Sequence, residues 1–514
     1  MYTQQAIRIR TARRPVVARQ SQPIQIEGHS FEKYLRSPLI RKVLLRLTTQ
    51  TDGSTLLERL FYSYRNPASL WDRIRYAPVH MLLDTFVDRT NTSRSRAAEK
   101  VFHHQPTVRT LVNTARSIAV HGLTVPQRFI APLLVVWNIT NACNLKCKHC
   151  YQNAWHKRTD GELTREEKLG LVDQISACYV PMMAIAGGEP LCDPDIWAVL
   201  ERAQQRKVYA TIATNGTLLT KTNVERIAAR GVKYVEVSLD SPDSALHDRF
   251  RQMPGAWRRS IEGIRNVVAH PGLRCGIATC FTRDTVGHAP EMIDLAISLG
   301  AHTFVHFNFI PVGRGKEMVR EEMTVAQREW LLRILYKTLN EGKIGVMSTA
   351  PQFGRSCIMY GDPEGMVAMG HAGSGKGRQA QVVSKYLGGC GAHRCYCCIQ
   401  PDGRVNPCVY MPSLALGDLR KSSFAEIWNH PLEAVLSDRD DRGDHCGVCD
   451  YRMFCGGCRA RAEAYTGDVK AGDPGCIYNR HMWDEINSNG MVNQNEPVPD
   501  NSVMDESPEI LHVT

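Results

Sequence analysis

LLVVWNITNACNLKCKHCYQNA, residues 133–154, decides how the rest of the chain is read. Its first half, Leu133 to Thr140, is a short β-rich run, which predicts a strand. Its second half sets Cys143, Cys147 and Cys150 in one short loop directly after that strand, in a CxxxCxxC spacing. Three thiolates from one loop suit a [4Fe–4S] cube in which one iron has no protein ligand.

That open iron can take the amino and carboxylate groups of S-adenosylmethionine (SAM) and hold its sulfonium beside the cluster. One electron then breaks a carbon–sulfur bond and gives a 5′-deoxyadenosyl radical. A zinc knot is the competing reading, but structural zinc normally has four closed ligands. His149 as the fourth would have to fold back onto the metal from between two cysteine ligands.

Working outward, five more strand-like runs follow: MMAIAGG (182–188), YATIATNG (209–216), YVEVSLD (234–240), CGIATCFT (275–282) and FVHFNFIP (304–311). Helical stretches separate them, the first opened by a capping box of Thr164 and Glu167. Six strands alternating with helices predict an α/β fold with a parallel sheet, open or closed into a partial (βα)6 TIM-like barrel, whose ligands sit at the C-terminal strand ends. Those ends carry Gly187, Gly188, Glu189 and Pro190 after the second strand, Asn215 after the third, and Ser238 and Asp240 after the fourth. Glycine lets a backbone approach a ligand closely, and the short polar groups suit ribose or carboxylate contacts. Each turn alone is ordinary loop chemistry. Arg314, in FNFIPVGRGKE, and Arg249 and Arg251, in HDRFRQ, are candidates to clamp a substrate carboxylate, with structural salt bridges as the alternative.

The chain has 514 residues, 43% hydrophobic and 22% charged, with 18 cysteines and a net charge of +11. Its length implies two or three domains. The absence of an apolar signal-peptide core near the start predicts a cytoplasmic protein, in which clustered cysteines point to metal rather than to disulfides. The cysteines concentrate in GGCGAHRCYCCIQPDGRVNPC (388–408), HCGVCDYRMFCGGC (445–458) and GDPGC (472–476), where regular periodicity fades after about Gly345. Such a region has a small core and needs metal staples. Its CxxC pairs also fit a zinc ribbon. Cys178, Cys192, Cys275 and Cys280 read as small buried hydrophobes.

Taken together, the cysteine triplet and the GGEP, TNG and S-x-D strand ends resemble the radical SAM superfamily over about Leu133 to Pro311. The resemblance implies that the triplet ligates the SAM cluster, that GGEP meets the methionine part of SAM, and that Asn215, Ser238 and Asp240 line its pocket. His149 stands where the family usually has an aromatic residue, and an imidazole can still stack. The C-terminal spacing resembles the SPASM module, which carries two auxiliary [4Fe–4S] clusters. By that pattern Cys446, Cys449, Cys455 and Cys476 hold one cluster, and Cys390, Cys408 and Cys458 hold most of the other. Its fourth ligand is open among Cys395, Cys397, Cys398 and Cys357, with Cys395 preferred. CGGCRARAEAYTGD, DPGC and GCGAHR look like the branch acting in heme and heme d1 formation, and peptide maturases share the module.

Residues 1–130 read as a basic arm (Arg8, Arg10, Arg13, Arg14 and Arg19) and a helical extension. Ser37-Pro38 predicts a helix start, with Ile40, Val43, Leu44 and Leu47 on one face and Arg41, Lys42 and Arg46 on the other. Peripheral membrane contact through this helix competes with simple packing on its own domain. The further divisions are 131–345 for the radical SAM core, 346–480 for the auxiliary cluster domain and 481–514 for a disordered tail. Gly370-x4-Gly375-Lys376 is almost a phosphate loop, but Gly377 replaces its Ser or Thr, so a flexible loop is expected. The whole predicts oxidative modification of a tetrapyrrole, peptide or lipid-like substrate, driven by a ferredoxin- or flavodoxin-type donor. Nucleic acid is not expected as a partner. The opposing class is a zinc-stabilised module binding nucleic acid or protein without catalysis.

Overall fold

The computed structural model describes residues 30–488 apart from 52, 67–68, 89–92 and 371–372. The basic arm, and with it any contact made there, lies outside the described residues. One ten-stranded sheet organises the molecule. Numbered in chain order, its strands are β1 (Leu134–Asn138), β2 (Met182–Ala186), β3 (Tyr209–Thr214), β4 (Tyr234–Ser238), β5 (Arg274–Cys280), β6 (Thr303–Phe307), β7 (Gly345–Ser348), β8 (Tyr396–Ile399), β9 (Arg404–Asn406) and β10 (Gly417–Asp418). In space they run β10-β9-β8-β1-β2-β3-β4-β5-β6-β7. Every pair from β8 to β7 is parallel, and β9 and β10 are antiparallel additions. The sheet curves into a partial barrel.

The six expected strands are β1 to β6, and two more parallel strands flank them. β7 follows the sixth strand, and β8 arises inside the cysteine-rich segment, pairing Tyr396 with Leu134 and Ile399 with Trp137. β8 reads YCCI, and its cysteines looked like surplus ligands because metal and buried strand call for the same residue type.

Alternation along each strand sorts the side chains. Val135, Trp137, Ile185, Ile212, Val237 and Phe304 point outward into the core beneath the helices. Leu134, Val136, Met182 and Ala184 point inward, where they meet Tyr151, Cys398 and Tyr410. The helix Arg165–Ala177 opens with the expected box: Glu167 N–H donates to Thr164 Oγ1 at 3.3 Å and Thr164 N–H to Glu167 Oε2 at 2.7 Å. From its first turn the fully buried Lys168 donates to Asp193 at 2.6 Å and to Asp195 at 3.0 Å, tying the helix to the segment after β2.

Several expectations are corrected. The helix Pro38–Thr48 begins where proline predicted, but the Ser37 side chain makes no cap bond. Val43, assigned to its packed face, is 44% exposed. Arg41, assigned to the solvent face, instead donates to Ala119 O at 3.2 Å and Val120 O at 2.9 Å. There it meets the negative end of the helix Gln105–His121. The tail does not lose structure at 481: the helix Arg480–Ile486 buries Trp483 and Ile486 against Val325 and Tyr465. Residues 489–514 lie outside the described residues. The near-phosphate loop is the second strand of a hairpin, with Ser374–Lys376 pairing with Met366–Ala368.

Replacing Lys168 by Met removes the cation hydrogen-bonded to the buried Asp193. The cost is about 3–5 kcal/mol, read as a lowered denaturant midpoint under anaerobic conditions.

Candidate functional site

The cysteine triplet occupies the loop beyond the C-terminal end of β1, and backbone bonds from all sides hold that loop. Cys143 N–H donates to Trp155 O at 2.8 Å, and Lys148 N–H to Phe250 O at 3.0 Å. The turn after β2 presses against it: Gly188 N–H donates to Thr140 O at 2.7 Å and Glu189 N–H to Ala142 O at 2.8 Å. A Cβ on Gly188 would stand 2.2 Å from Ala142 O, and one on Gly187 2.6 Å from Thr140 O. Both positions therefore require glycine, because neither backbone can give way. Cys143, Cys147 and Cys150 share one apolar cluster with Leu145, Ala154 and Ala256. Burial pushes the Cys143 and Cys147 thiols up, so ligation must displace their protons.

Arg314 is not free to clamp a substrate. Its Nε donates to Cys147 O at 2.8 Å and its Nη1 to Ala154 O at 2.8 Å, so it fastens both ends of the triplet's second half. Arg251 is likewise engaged, at 2.6 Å from Asp240 and 3.6 Å from Cys147 Sγ. Burial alone would raise the Asp240 carboxyl, and Arg251 outweighs that and holds it below the usual range. Arg249 is exposed and lines an open cleft at the rim with Lys148, Asp240, Phe250, Cys280 and Glu321.

The remaining predicted residues ring the same rim in different ways. Glu189 is fully buried and accepts from Thr214 Oγ1 at 2.8 Å and Asn215 N–H at 2.9 Å, fastening the end of β2 to that of β3. Pro190 is buried behind it. The Asn215 amide donates to Asn144 Oδ1 at 2.8 Å, reaching back to the cysteine loop. Ser238 faces the chamber in register with Ala278. His149 stacks on Phe250 at 4.2 Å between ring centroids, 9° from parallel, and burial with the nearby Arg251 lowers it to about 3, leaving a neutral ring. The aromatic role expected at this position is thus shared between His149 and Phe250.

Glu162 was not legible in the sequence. It accepts from Thr140 Oγ1 at 2.9 Å, Asn141 N–H at 2.8 Å and Arg158 Nε at 2.8 Å, fixing the point where the strand becomes the loop. Only its place two residues before the capping box hinted at a role.

In the C-terminal segment, Cys446, Cys449, Cys455 and Cys476 line one pocket with Arg355, Arg452 and Asn479. Among the described residues no three metal-binding groups converge on a single-ion point. Thiols ranged around a cavity fit a multi-iron cube better than a tetrahedral ion, whose sulfurs lie about 2.3 Å from one centre. Cys390, Cys408 and Cys458 form a second group about Ile310, Ala392 and Met411. Cys395 packs among Phe129, Leu133 and Leu387, just before β8, and lies within electrostatic reach of Cys390. Cys397 enters the outer core, and Cys398 faces the chamber, accepting from Asn138 Nδ2 at 3.3 Å.

Buried arginines bind the two groups together. Arg439 donates to Arg452 O at 2.9 Å, Gly388 O at 3.2 Å and Cys390 O at 3.4 Å. A Cβ on Gly456 would stand 2.2 Å from its Nη1, and Gly456 and Gly457 both take positive φ, +69° and +66°. Arg355 is ion-paired with Glu329 and reaches the first cavity. These cations offset the negative charge that ligated thiolates bring into the interior.

An open parallel barrel with a three-thiol loop at its mouth and a thiol-lined domain beyond defines the chain as a member of the radical SAM superfamily. The Radical SAM superfamily model matches residues 137–296, and an iron–sulfur cluster-binding (SPASM) domain model matches 390–450. The chain is 35% identical over 351 residues to an AdoMet-dependent heme synthase of Methanosarcina barkeri, covering 68% of this chain and 97% of that protein. It is 29% identical to a pre-heme d1 synthase of Dinoroseobacter shibae (67% and 85% covered) and to a mycofactocin maturase of Mycobacterium ulcerans (70% and 89%). Streptococcus suis SuiB bound to S-adenosylmethionine shares the fold with a TM-score of 0.55 and 17% identity, over 84% of this chain and 94% of that one. The chain is therefore an enzyme that uses SAM and [4Fe–4S] clusters, and the zinc-stabilised, non-catalytic alternative falls.

Gly188→Ala and Arg314→Ala are each expected to lower iron at the triplet while leaving the auxiliary iron in place. Iron counting on anaerobically reconstituted protein checks this, and Arg314→Lys should recover part of the loss.

Proposed function

We propose that the chain oxidatively modifies a tetrapyrrole. The observation that carries this is the match to a heme synthase over 97% of that protein's length, spanning far more than the radical SAM domain alone. The chamber lining supports it. Its inward wall is apolar and aromatic, with Tyr151 edge-on to Tyr410 at 5.4 Å beside Val136, Met182 and Ala184, which suits a broad and mostly apolar ring.

In this reading Cys143, Cys147 and Cys150 hold the SAM cluster. Gly187, Gly188 and Ser238 face SAM, while Glu189, Pro190, Asn215 and Asp240 shape its pocket from behind. His149 and Phe250 offer a stacking surface. When bound, the cluster and SAM supply a carbon-centred radical that takes a hydrogen atom from the substrate. Arg314, Arg251 and Glu162 are positioning residues that keep the loop still. Cys446, Cys449, Cys455 and Cys476 hold one auxiliary cluster. Cys390, Cys408 and Cys458 hold the other, with Cys395 as the adjacent fourth thiol, and both are suited to receive an electron from the substrate.

Among the described residues no helix is long and apolar enough to cross a membrane. A cytoplasmic setting and a ferredoxin- or flavodoxin-type donor fit an oxygen-sensitive enzyme that needs low-potential electrons. Leu39 and Val43, exposed and one turn apart on the helix Pro38–Thr48, support peripheral contact with a membrane.

Anaerobic protein should hold roughly a dozen irons, four for each cluster, and release 5′-deoxyadenosine on reduction with SAM. Cys143→Ala, Cys147→Ala or Cys150→Ala should abolish that release and remove about a third of the iron. Deuterium passing into deoxyadenosine from a labelled tetrapyrrole, and not from a labelled peptide, tests the substrate. The reverse pattern would move the enzyme to the peptide maturases.

A further inference from the structure

Glu236 sits midway along β4 and faces the chamber, in register with Ala213 on one side and Gly276 on the other. Ala213 is small and leaves space beside the carboxyl group on that side. The Tyr234 hydroxyl lies over Gly276, where a Cβ would stand 2.0 Å from it. Among the described inward-facing positions of β1 to β8 the only other charged residue is Arg274, exposed at the lower mouth. Among the described residues Glu236 has no hydrogen-bond or ion-pair partner. It is enclosed by protein yet keeps some accessible surface, as a group lining a hollow does.

Three guanidinium groups at the barrel mouth are already engaged. Arg314 is fastened to the cysteine loop, Arg251 to Asp240, and Arg461 to Glu322 at 2.9 Å and Asn308 at 2.5 Å. The titratable groups around Glu236 are Tyr234 on its own strand, Tyr151 and Tyr410 across the chamber, Cys275 and Cys280 on β5, and Arg274 below. Burial pushes every one of these phenols and thiols up, so all are uncharged near neutrality. Above Arg274 the chamber thus offers a substrate neutral donors and one titratable acid.

We propose that Glu236 anchors a carboxylate arm of the substrate by donating the proton of its own uncharged carboxyl group. This rests on the reading of the substrate as a tetrapyrrole with carboxylate side arms. Two carboxyl groups in contact share one proton, because both cannot ionise at that distance. Burial without a partner raises Glu236 to about 7, so the acid form is present at neutral pH before substrate arrives. A bound carboxylate raises it further, so binding takes up a proton. The sign follows: affinity is greatest below about pH 7 and falls above it, approaching tenfold per pH unit.

The test uses anaerobic holoenzyme with SAM bound and measures binding by equilibrium ultrafiltration between about pH 6 and 8.5. The probes are metal-free coproporphyrin III, its tetramethyl ester, and a short apolar peptide with a free C-terminal carboxylate. Expected are a fall in coproporphyrin affinity above about pH 7, with a weaker and pH-insensitive ester. Glu236→Gln, whose amide still donates, should bind coproporphyrin within about threefold of the native level at low pH and lose the pH dependence. Glu236→Ala should bind about tenfold or more weakly, the range for a lost bond to a charged group. Iron content and circular dichroism confirm that both variants fold. Affinity rising with pH, Glu236→Gln as weak as Glu236→Ala, or ester bound as well as acid overturns the anchor and leaves the tetrapyrrole reading standing. Peptide binding with the same dependence on pH and residue 236, and no porphyrin binding, overturns the tetrapyrrole reading and keeps the anchor. No dependence with any probe overturns the anchor.

Discussion

The structure depends on holding still a loop with no regular secondary structure of its own. Three cysteines must face one point at the mouth of the barrel, and the segment that carries them lacks the repeating bonds that stabilise helix or sheet. Its backbone is therefore fastened from outside: by Glu162 where β1 ends, by Gly188 and Glu189 from the turn after β2, and by Arg314 from the segment after β6. The rim residues named in the family's motifs act largely through this fastening. Glu189 and Asn215 meet each other and the cysteine loop, so the motif is a frame as much as a ligand surface.

The second constraint is charge. Burying many thiolates is costly unless cations accompany them, and the interior supplies Arg355, Arg439, Arg459 and Arg461, of which all but Arg439 are less than 2% exposed. Their bulk in turn fixes the backbone around them. Gly456 leaves space for Arg439, and a Cβ on Gly457 would stand 2.3 Å from Arg459 Nη2. The glycine-cysteine rhythm of the segment reflects guanidinium packing as well as turn geometry.

The barrel strands, the capping box and the three-thiol loop were legible because each is local: a run of apolar residues, a fixed four-residue interval, a short spacing. What was missed is what depends on distant partners. Arg314 and Arg251 looked like substrate clamps because nothing near them in sequence shows that a loop carbonyl and Asp240 already occupy them. β8 hid behind its cysteines, and β7 behind a glycine and a short span. Glu236 left no mark, since an acid alternating with valines reads as a solvent-facing position, and only closure of the sheet turns that face into an interior. The trailing helix with Trp483 was lost because seven helical residues followed by a long polar stretch average to a tail.

The insertion of β8 beside β1 bears on how the molecule is made. Leu134 leaves the ribosome long before Tyr396, its neighbour in the finished sheet. Until then the first barrel strand has one bare edge, with unpaired amides and carbonyls next to the apolar residues of its inner face. Cutting the gene between the two matched domains would expose that edge permanently, so the catalytic half is not expected to stay soluble as a separate product.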